Sequence, residues 1–277
     1  MDIPKRRLGR TGEDVTILGL GGEGVLRTFG YEKEAYTLIN RAIDLGIGYF
    51  ESARAYSGSE SYYGLALTER RKDIFLTSKS HARDKEGALT HLQETLKNMK
   101  TDHLDLWQVH DVRTTQDLQT IFGPKGAIEA FVEAKERGMT LFIGVTGHHD
   151  PRILQLCIEN FDFDTVLMPV NPAEPVYKNF MDDFLPLVHK RNMGIIAMKV
   201  YLRGLAARIP GFKSMAPFYR YALTHPVTTA VIGCDDIRQL EENVGFAASF
   251  KPMSDEEMRE LEQFVSGYGR QLMYYKP

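Results

Sequence analysis

Short apolar runs alternate with amphipathic stretches along the whole chain. The runs are four to seven residues long and rich in Val, Ile, Leu and Phe, as are strands buried on both faces of a parallel sheet. This pattern predicts eight strands: Ile17–Gly22, Gly48–Glu51, Ile74–Lys79, Leu104–His110, Thr140–Thr146, Thr165–Val170, Gly194–Lys199 and Thr228–Gly233.

Helical periodicity fills the intervals between these runs. The first amphipathic stretch is followed by Gly46, a predicted C-cap, and Asp150 stands before Pro151 as an N-cap before proline. The predicted helices are Lys33–Leu45, Ser59–Glu69, Asp84–Lys100, Gly126–Arg137, Asp150–Asn160, Asn179–Arg191, Ser214–Thr224 and Ile237–Ser249.

Eight strand–helix units predict an α/β fold of one domain over residues 1–277, a single (β/α)₈ TIM barrel. An open doubly wound sheet is the alternative, because periodicity does not show closure. An N-terminal β-hairpin turning at Thr11-Gly12 is predicted before the first strand. A C-terminal extra helix over Ser254–Gln271, with Ser254 and Glu257 as its capping box, is predicted after the last.

The stretch Gly19–Gly24 matches the dinucleotide-binding pattern G-x-G-x-x-G. That pattern indicates a Rossmann site only where it opens a helix, and the residues that follow it lack helical periodicity. We therefore interpret it as a glycine-rich barrel loop, where the absence of side chains lets a flat ring approach the backbone.

Composition narrows the function classes. A net charge of −3 disfavours nucleic acid or a membrane surface as partner, and no apolar run is long enough to span a bilayer. Cys157 and Cys234 stand far apart, so neither a disulfide framework nor a thiolate metal site is predicted. The N-terminal ten residues lack the apolar stretch of a signal peptide, and we expect a cytoplasmic protein.

Four polar side chains stand at or just beyond three successive strand ends: Glu51, Tyr56, Lys79 and His110. In a barrel these ends share one rim, where active sites lie. Each residue alone also has a structural interpretation, as a buried ion pair for Glu51 and Lys79, a loop aromatic for Tyr56 or a rim histidine for His110. Together they favour proton transfer to a carbonyl oxygen, since an ammonium beside a phenol lowers its pKa toward the working range.

Several ordered motifs carry a family resemblance. The chain resembles the aldo-keto reductases along almost its whole length. The similar segments are Arg7–Gly12, like the family's N-terminal hairpin; Leu45–Tyr56, like its GINFFDTADVY segment; Leu104–His110, like DLYQIH; Ile143–Thr146, like IGVS; and Gln239–Asn243, like QLEEN.

The resemblance implies a small-molecule carbonyl substrate reduced with NAD(P)H. It implies Tyr56 as proton donor, Lys79 as its partner, His110 as the group that orients the substrate, and Glu51 in place of the family's Asp. The implied cofactor-binding residues are Gly22, Thr146, Gly147, Asn171, Met198, Lys199, Arg203, Gly233, Asp235, Gln239, Glu242 and Asn243.

The choice of coenzyme and the metal content are also predicted. We expect NADP(H), favoured by Arg203, Arg208 and Lys213, with NAD(H) as the alternative because Asp235 and Asp236 would repel a 2′-phosphate. No metal site is predicted. One other interpretation is an NADP(H)-binding sensor with little turnover. Another is a metal-dependent hydrolase using His81, His110, His148 and His149, disfavoured because no His-x-His follows the first strand. The oligomeric state is left open.

Overall fold

Eight parallel strands close into one barrel in the computed structural model, which describes residues 2–277. A two-stranded antiparallel hairpin precedes the barrel, formed by β1 (Lys5–Arg7) and β2 (Asp14–Thr16). The barrel strands are β3 (Leu18–Gly24), β4 (Tyr49–Glu51), β5 (Phe75–Ser80), β6 (Leu104–Val109), β7 (Thr140–Thr146), β8 (Thr165–Pro169), β9 (Gly194–Met198) and β10 (Thr229–Cys234).

The predicted TIM barrel is confirmed, and each of its eight strands ends within two residues of its predicted bounds. Closure comes from β10, which pairs in parallel with β3 and places Val231 beside Gly19, so the open sheet is excluded. The glycines of the G-x-G-x-x-G stretch Gly19–Gly24 lie within β3 and not in the predicted loop. A Cβ on Gly24 would lie 2.4 Å from the carbonyl oxygen of Cys234, and its φ of +73° is one that glycine adopts readily.

Helices surround the barrel and bury their apolar faces against the strands. They are α1 (Glu32–Asp44), α2 (Ser59–Ala66), α3 (Lys85–Met99), α4 (Thr115–Phe122), α5 (Ala127–Glu136), α6 (Pro151–Asn160), α7 (Phe180–Asp183), α8 (Leu185–Lys190), α9 (Ala216–Thr224), α10 (Ile237–Ala248), α11 (Asp255–Ser266) and α12 (Gly269–Leu272). Short 3₁₀ turns cover Gly9–Thr11, Val25–Arg27, Thr68–Asp73, Glu174–Val176 and Leu202–Arg208.

The helices differ from the predictions in three places. The helix α4, with a capping box formed by Thr114 and Asp117, was not predicted. The stretch Asn179–Arg191 forms two short helices. The break falls at Phe184, whose φ of −113° departs from the value of about −63° that is typical of an α-helix. The C-terminal extra helix is confirmed with its predicted capping box but ends at Ser266, and a separate short helix follows.

The last residues of the chain pack against the loop that follows β8. Lys276 Nζ lies 2.6 Å from Glu174 Oε2, and both side chains are inaccessible to solvent. The hydroxyl of Tyr275 donates to Glu174 Oε1 at 2.7 Å. This buried network fixes the tail at the rim formed by the C-terminal ends of the strands. Among the described residues, no helix combines the length and the apolar character needed to span a bilayer.

Candidate active site

The structure brings together the four side chains at the predicted strand ends. Glu51 ends β4, Lys79 lies in β5, and His110 directly follows β6, so all three reach the same rim of the barrel. Tyr56 comes from the loop after β4. Its ring makes a cation–π contact with Lys79 and an edge-to-face contact with His110.

Lys79 is the buried centre of this group. Its Nζ lies 2.9 Å from Glu51 Oε1 and donates to the Ser52 carbonyl oxygen at 2.8 Å. The additional methylene of Glu51 therefore still permits the ion pair with Lys79. Burial lowers the pKa of Lys79, while the adjacent Glu51 carboxylate opposes that change. Glu51 Oε2 is buried with no hydrogen-bond partner among the described residues.

Tyr56 is partly exposed and lies over Gly22, where a Cβ would come within 2.5 Å of the tyrosine ring. Lys79 Nζ lies 4.7 Å from the ring centre, and the Arg27 guanidinium carbon lies 4.9 Å from it. The pKa of Tyr56 is nevertheless raised well above its usual value, by burial first and then by the Glu51 and Glu23 carboxylates. This differs from the predicted lowering, because burial and the nearby carboxylates together outweigh the neighbouring positive charge.

His110 faces the same tyrosine edge-on, with the ring centres 5.9 Å apart and the ring planes at 85°. Its Nδ1 is buried and has no hydrogen-bond partner among the described residues. Burial, followed by the positive charge of Lys79, holds the pKa of His110 well below its ordinary value. The imidazole is therefore neutral at physiological pH and keeps one N–H donor and one acceptor nitrogen.

A cleft of about 670 Å³ opens beside Tyr56 and Glu51. It runs over the ends of β3, β9 and β10 to the first turns of α10. Most of the predicted cofactor-binding residues line it: Met198, Lys199, Arg203, Gly233, Asp235, Gln239, Glu242 and Asn243. Lys213 lines it as predicted and Arg238 lines it without having been predicted, whereas the exposed Arg208 is not among its lining residues.

Four predicted cofactor-binding residues do not line this cleft. Gly22 lies under Tyr56. Thr146 is buried, and its Oγ1 accepts a hydrogen bond from the Asp111 backbone N–H at 2.7 Å. A Cβ on Gly147 would lie 2.9 Å from the Leu154 side chain.

Asn171, the fourth, is closed off by the C-terminal tail. Its Nδ2 donates to the Tyr275 hydroxyl at 2.9 Å, and its Oδ1 accepts from the Ala173 N–H at 3.0 Å. Both ends of the amide are therefore engaged within the protein. Asn171 is also fully buried, so a ligand contact at its amide requires the packing around it, which includes the tail residue Tyr275, to open.

Polar residues at the α10 end of the cleft form hydrogen bonds with one another. The Tyr201 hydroxyl donates to Asn243 Oδ1 at 2.7 Å, and the Asp235 N–H donates to Gln239 Oε1 at 2.9 Å. Asp236 caps α10, because its Oδ1 accepts from the Gln239 N–H at 2.8 Å. Its carboxylate therefore caps the helix terminus, and the acidic side chains that line this end of the cleft are those of Asp235 and Glu242.

A charge cluster that was not predicted lies at the mouth of the cleft. Glu23 Oε1 lies 2.7 Å from Arg27 and 3.8 Å from Lys199, and Glu23 Oε2 lies 3.4 Å from Arg203. The four-residue separation of Glu23 and Arg27 was the signal available in the sequence. A glycine-rich stretch contributes few side chains, so its pattern alone does not predict a charge cluster.

The four histidines of the hydrolase alternative do not form one ligand set. His81 packs against His91, with ring centres 4.6 Å apart, and neither His81 nor His110 belongs to the group of ligand atoms that lie within 4.8 Å of one another. His148 and His149 instead stack on each other and face Asp111. Burial lowers the pKa of His148 to about 3.

The sequence is similar to those of known oxidoreductases. The model of the aldo/keto reductase family matches residues 17–215. An uncharacterized oxidoreductase of Bacillus subtilis is 24% identical over 93% of this chain and 95% of its own. The L-galactose dehydrogenase of Arabidopsis thaliana is 25% identical over 95% of this chain and 94% of its own.

Solved structures show the same fold. The holo form of an aldo-keto reductase from Bacillus halodurans superposes with a TM-score of 0.78 at 22% identity, covering 95% of this chain and 96% of its own. An aldo-keto reductase from Klebsiella pneumoniae in complex with NADPH gives a TM-score of 0.76 at 19% identity, covering 95% of both chains.

Proposed function

Since this chain belongs to the aldo/keto reductase family, we propose that it reduces the carbonyl group of a small aldehyde or ketone to an alcohol with NADP(H). The observation that carries the proposal is the position of Tyr56. Its ring lies beside the cleft, within 5 Å of the cationic groups of both Lys79 and Arg27 and edge-on to His110.

Tyr56 is the proposed proton donor. Its raised pKa keeps the phenol protonated at neutral pH, so the proton is present when a substrate binds. As the proton moves to the carbonyl oxygen, negative charge develops on the phenol oxygen. The cationic groups of Lys79 and Arg27 lie within 5 Å of the ring centre, and their positive charge stabilises the developing phenolate, which lowers the barrier to proton transfer.

His110 is the proposed orienting group. A neutral imidazole donates one N–H, and this donor holds the carbonyl oxygen next to the Tyr56 hydroxyl. The pKa of His110 is held low by burial and by Lys79, which keeps the ring from competing as an acid. Its unpartnered Nδ1 shows that the protein itself does not use the full hydrogen-bonding capacity of the ring.

The cleft has the character of a nucleotide coenzyme site. Its volume of about 670 Å³ lies within the range of small-molecule pockets. Arg203, Lys213 and Arg238 supply positive charge, and the N-terminal turn of α10 opens onto it, a position that favours anions. When bound, NADP(H) supplies the hydride that goes to the carbonyl carbon.

We propose NADP(H) over NAD(H) because the cationic side chains that line the cleft outnumber its carboxylates by five to four: Arg27, Lys199, Arg203, Lys213 and Arg238 against Glu23, Glu51, Asp235 and Glu242. A charge-assisted contact to a phosphate contributes about 1.5–3 kcal/mol, more than an exposed carboxylate takes away through screened repulsion. The Klebsiella pneumoniae structure, which holds NADPH, supports the same coenzyme.

One observation favours a second candidate, a coenzyme-binding sensor with little turnover. Tyr275 engages the amide of Asn171, a residue that the family resemblance implies in cofactor binding. A tail that must move for each cycle limits the steady-state rate while leaving a first round of chemistry intact.

The experiment that tests the proposed function measures NADPH oxidation with a panel of aldehydes and ketones, in steady state and with the protein in excess. The reductase predicts continuous turnover with formation of the alcohol. One rapid round followed by a rate at least a hundredfold slower would identify the sensor. Absence of substrate-dependent oxidation in either regime across the panel would contradict both.

A further inference from the structure

A cluster of potential metal ligands lies on the rim beyond β6 and β7. Asp111 Oδ1 lies 3.5 Å from His148 Nε2 and 3.6 Å from His149 Nε2, and the three ligand atoms all fall within 4.8 Å of one another. Asp111 Oδ1 and His149 Nε2 are buried and have no hydrogen-bond partner among the described residues. Two unsatisfied buried polar atoms that face each other indicate a missing ligand.

Backbone structure holds these side chains in place. Asp111 adopts a left-handed φ of +54°, and its N–H donates to Thr146 Oγ1, which ties the end of β6 to the end of β7. His148 and His149 immediately precede Asp150, the N-cap of α6, whose side chain accepts from the Arg152 N–H. Ligands placed at the ends of rigid elements pay little ordering entropy on binding.

Arg113 sets the orientation of the carboxylate. Its Nε donates to Asp111 Oδ2 at 2.7 Å, and its Nη2 contacts the same oxygen. Because Oδ2 is engaged in this way, Oδ1 is the oxygen presented to the two imidazoles. Groups that orient a metal ligand from behind raise the affinity of metal sites by 10–100-fold, so Arg113 resembles such an outer partner.

We propose that Asp111, His148 and His149 bind one divalent transition-metal ion, with Zn²⁺ as the ion best suited. Zinc ligands at about 2.0–2.2 Å in tetrahedral geometry lie about 3.3–3.6 Å from one another. The two separations at Asp111 Oδ1 match this spacing. Two imidazoles and one carboxylate favour Zn²⁺, Co²⁺ or Ni²⁺ over Mg²⁺ and Ca²⁺, which prefer oxygen ligands.

The site is separate from the coenzyme cleft. Asp111 follows His110 directly in the chain, but none of the three ligands lines the 670 Å³ cleft. Three protein ligands leave one tetrahedral position for water or another ligand. Metal binding and NADP(H) binding are therefore independently measurable, and the metal proposal stands whether or not the proposed reductase activity is found.

The test is titration of the full, tag-free and metal-free chain with Co²⁺, followed by visible d–d absorption, and with Zn²⁺ in competition. The proposal predicts saturation at one ion per chain with an intense tetrahedral spectrum, and displacement by one equivalent of Zn²⁺. Affinity falls at least about tenfold in His149→Gln and in Asp111→Asn, because removing a ligand exceeds the loss of an outer partner.

The matched control is His103→Gln. His103 lies 2.7 Å from Asp102 at the surface, a histidine–aspartate pair that lacks the second imidazole. It should leave the Co²⁺ spectrum and affinity unchanged. Thermal unfolding guards against misfolded variants, since Zn²⁺ should raise the Tm of the wild type and of His103→Gln but not of a folded His149→Gln or Asp111→Asn. Binding that is unsaturable, octahedral, or equal in all four proteins would overturn the proposal.

Discussion

The guanidinium carbon of Arg27 lies 4.9 Å from the centre of the Tyr56 ring. Its positive charge acts to lower the pKa of Tyr56, opposing burial and the nearby carboxylates. Arg27 comes from the turn after β3, on the other side of the tyrosine loop from the strand that carries Lys79. Cations from two separate parts of the chain, Arg27 and Lys79, thus lie next to the ring of the proposed proton donor.

Replacing this charge should weaken proton donation. Arg27→Gln is expected to lower the rate of carbonyl reduction near pH 7 by about two- to fivefold, the equivalent of a cation–π contact of about 0.5–1 kcal/mol. The alkaline limb of the pH profile should move to higher pH, since the pKa of Tyr56 rises. Arg27→Lys should restore most of the rate, and the exposed Arg152→Gln serves as control. If the alkaline limb of the pH profile stays at the same pH in Arg27→Gln, Arg27 contributes packing alone.

The role of Lys79 can be separated from its structural pairing with Glu51. Lys79→Met should lower the rate near pH 7 and raise the apparent pKa of the donor, because the developing phenolate loses its cation. It should also lower the free energy of unfolding by about 3–5 kcal/mol, because a buried carboxylate is left unpaired.

Adding Glu51→Gln to Lys79→Met removes that unpaired charge. The double variant should regain most of the lost stability, measured by urea denaturation, while the rate stays low. Recovery of the rate together with stability would mean that Lys79 acts only through folding.

Coenzyme choice depends on the cations of the cleft. Arg238→Ala should weaken NADPH binding about tenfold, the lower end of the 1.5–3 kcal/mol of a charge-assisted bond, and leave NADH binding unchanged. Asp235→Ser should tighten NADPH binding. The matched control is Arg208→Ala, because Arg208 does not line the cleft. Fluorescence titrations in which NADH binds more tightly than NADPH to the wild type would show that Asp235 dominates.

The tail is predicted to depend on one buried ion pair. Lys276 Nζ bonds to Glu174 Oε2 and to the carbonyl oxygens of Tyr177 and Lys178. Lys276→Met leaves Glu174 buried without its cation, at a cost of about 3–5 kcal/mol in unfolding free energy. The exposed Lys251→Met should change stability by less than about 0.5 kcal/mol. Equal stability in both variants would contradict the role assigned to this pair.

The sequence predicted the barrel well because its strands are buried on both faces and so read as continuous apolar runs. It predicted the meeting of Glu51, Lys79 and His110 for the same reason, since the ends of parallel strands share one rim. The prediction of helices was wrong where local signals were weak, as at the unpredicted α4 and at the break at Phe184.

Long-range contacts escaped prediction altogether. The closure of Asn171 by Tyr275 joins residues 104 positions apart, and no local pattern marks it. The approach of Asp111 to His148 and His149 likewise depends on how two loops pack after β6 and β7. The raised pKa of Tyr56 follows from burial and from charges on three different elements, which spacing along the chain does not reveal.

The central claim, that Tyr56 delivers the proton in carbonyl reduction, is tested most directly by single-turnover kinetics of Tyr56→Phe. NADPH-loaded wild type and variant, each in excess over one reactive aldehyde, are followed by loss of NADPH absorbance, with the half-exposed Tyr36→Phe as control. The account predicts a rate about 10²–10⁴-fold lower in Tyr56→Phe, with NADPH affinity and the Tyr36→Phe rate unchanged. A Tyr56→Phe rate within a few-fold of wild type would contradict it.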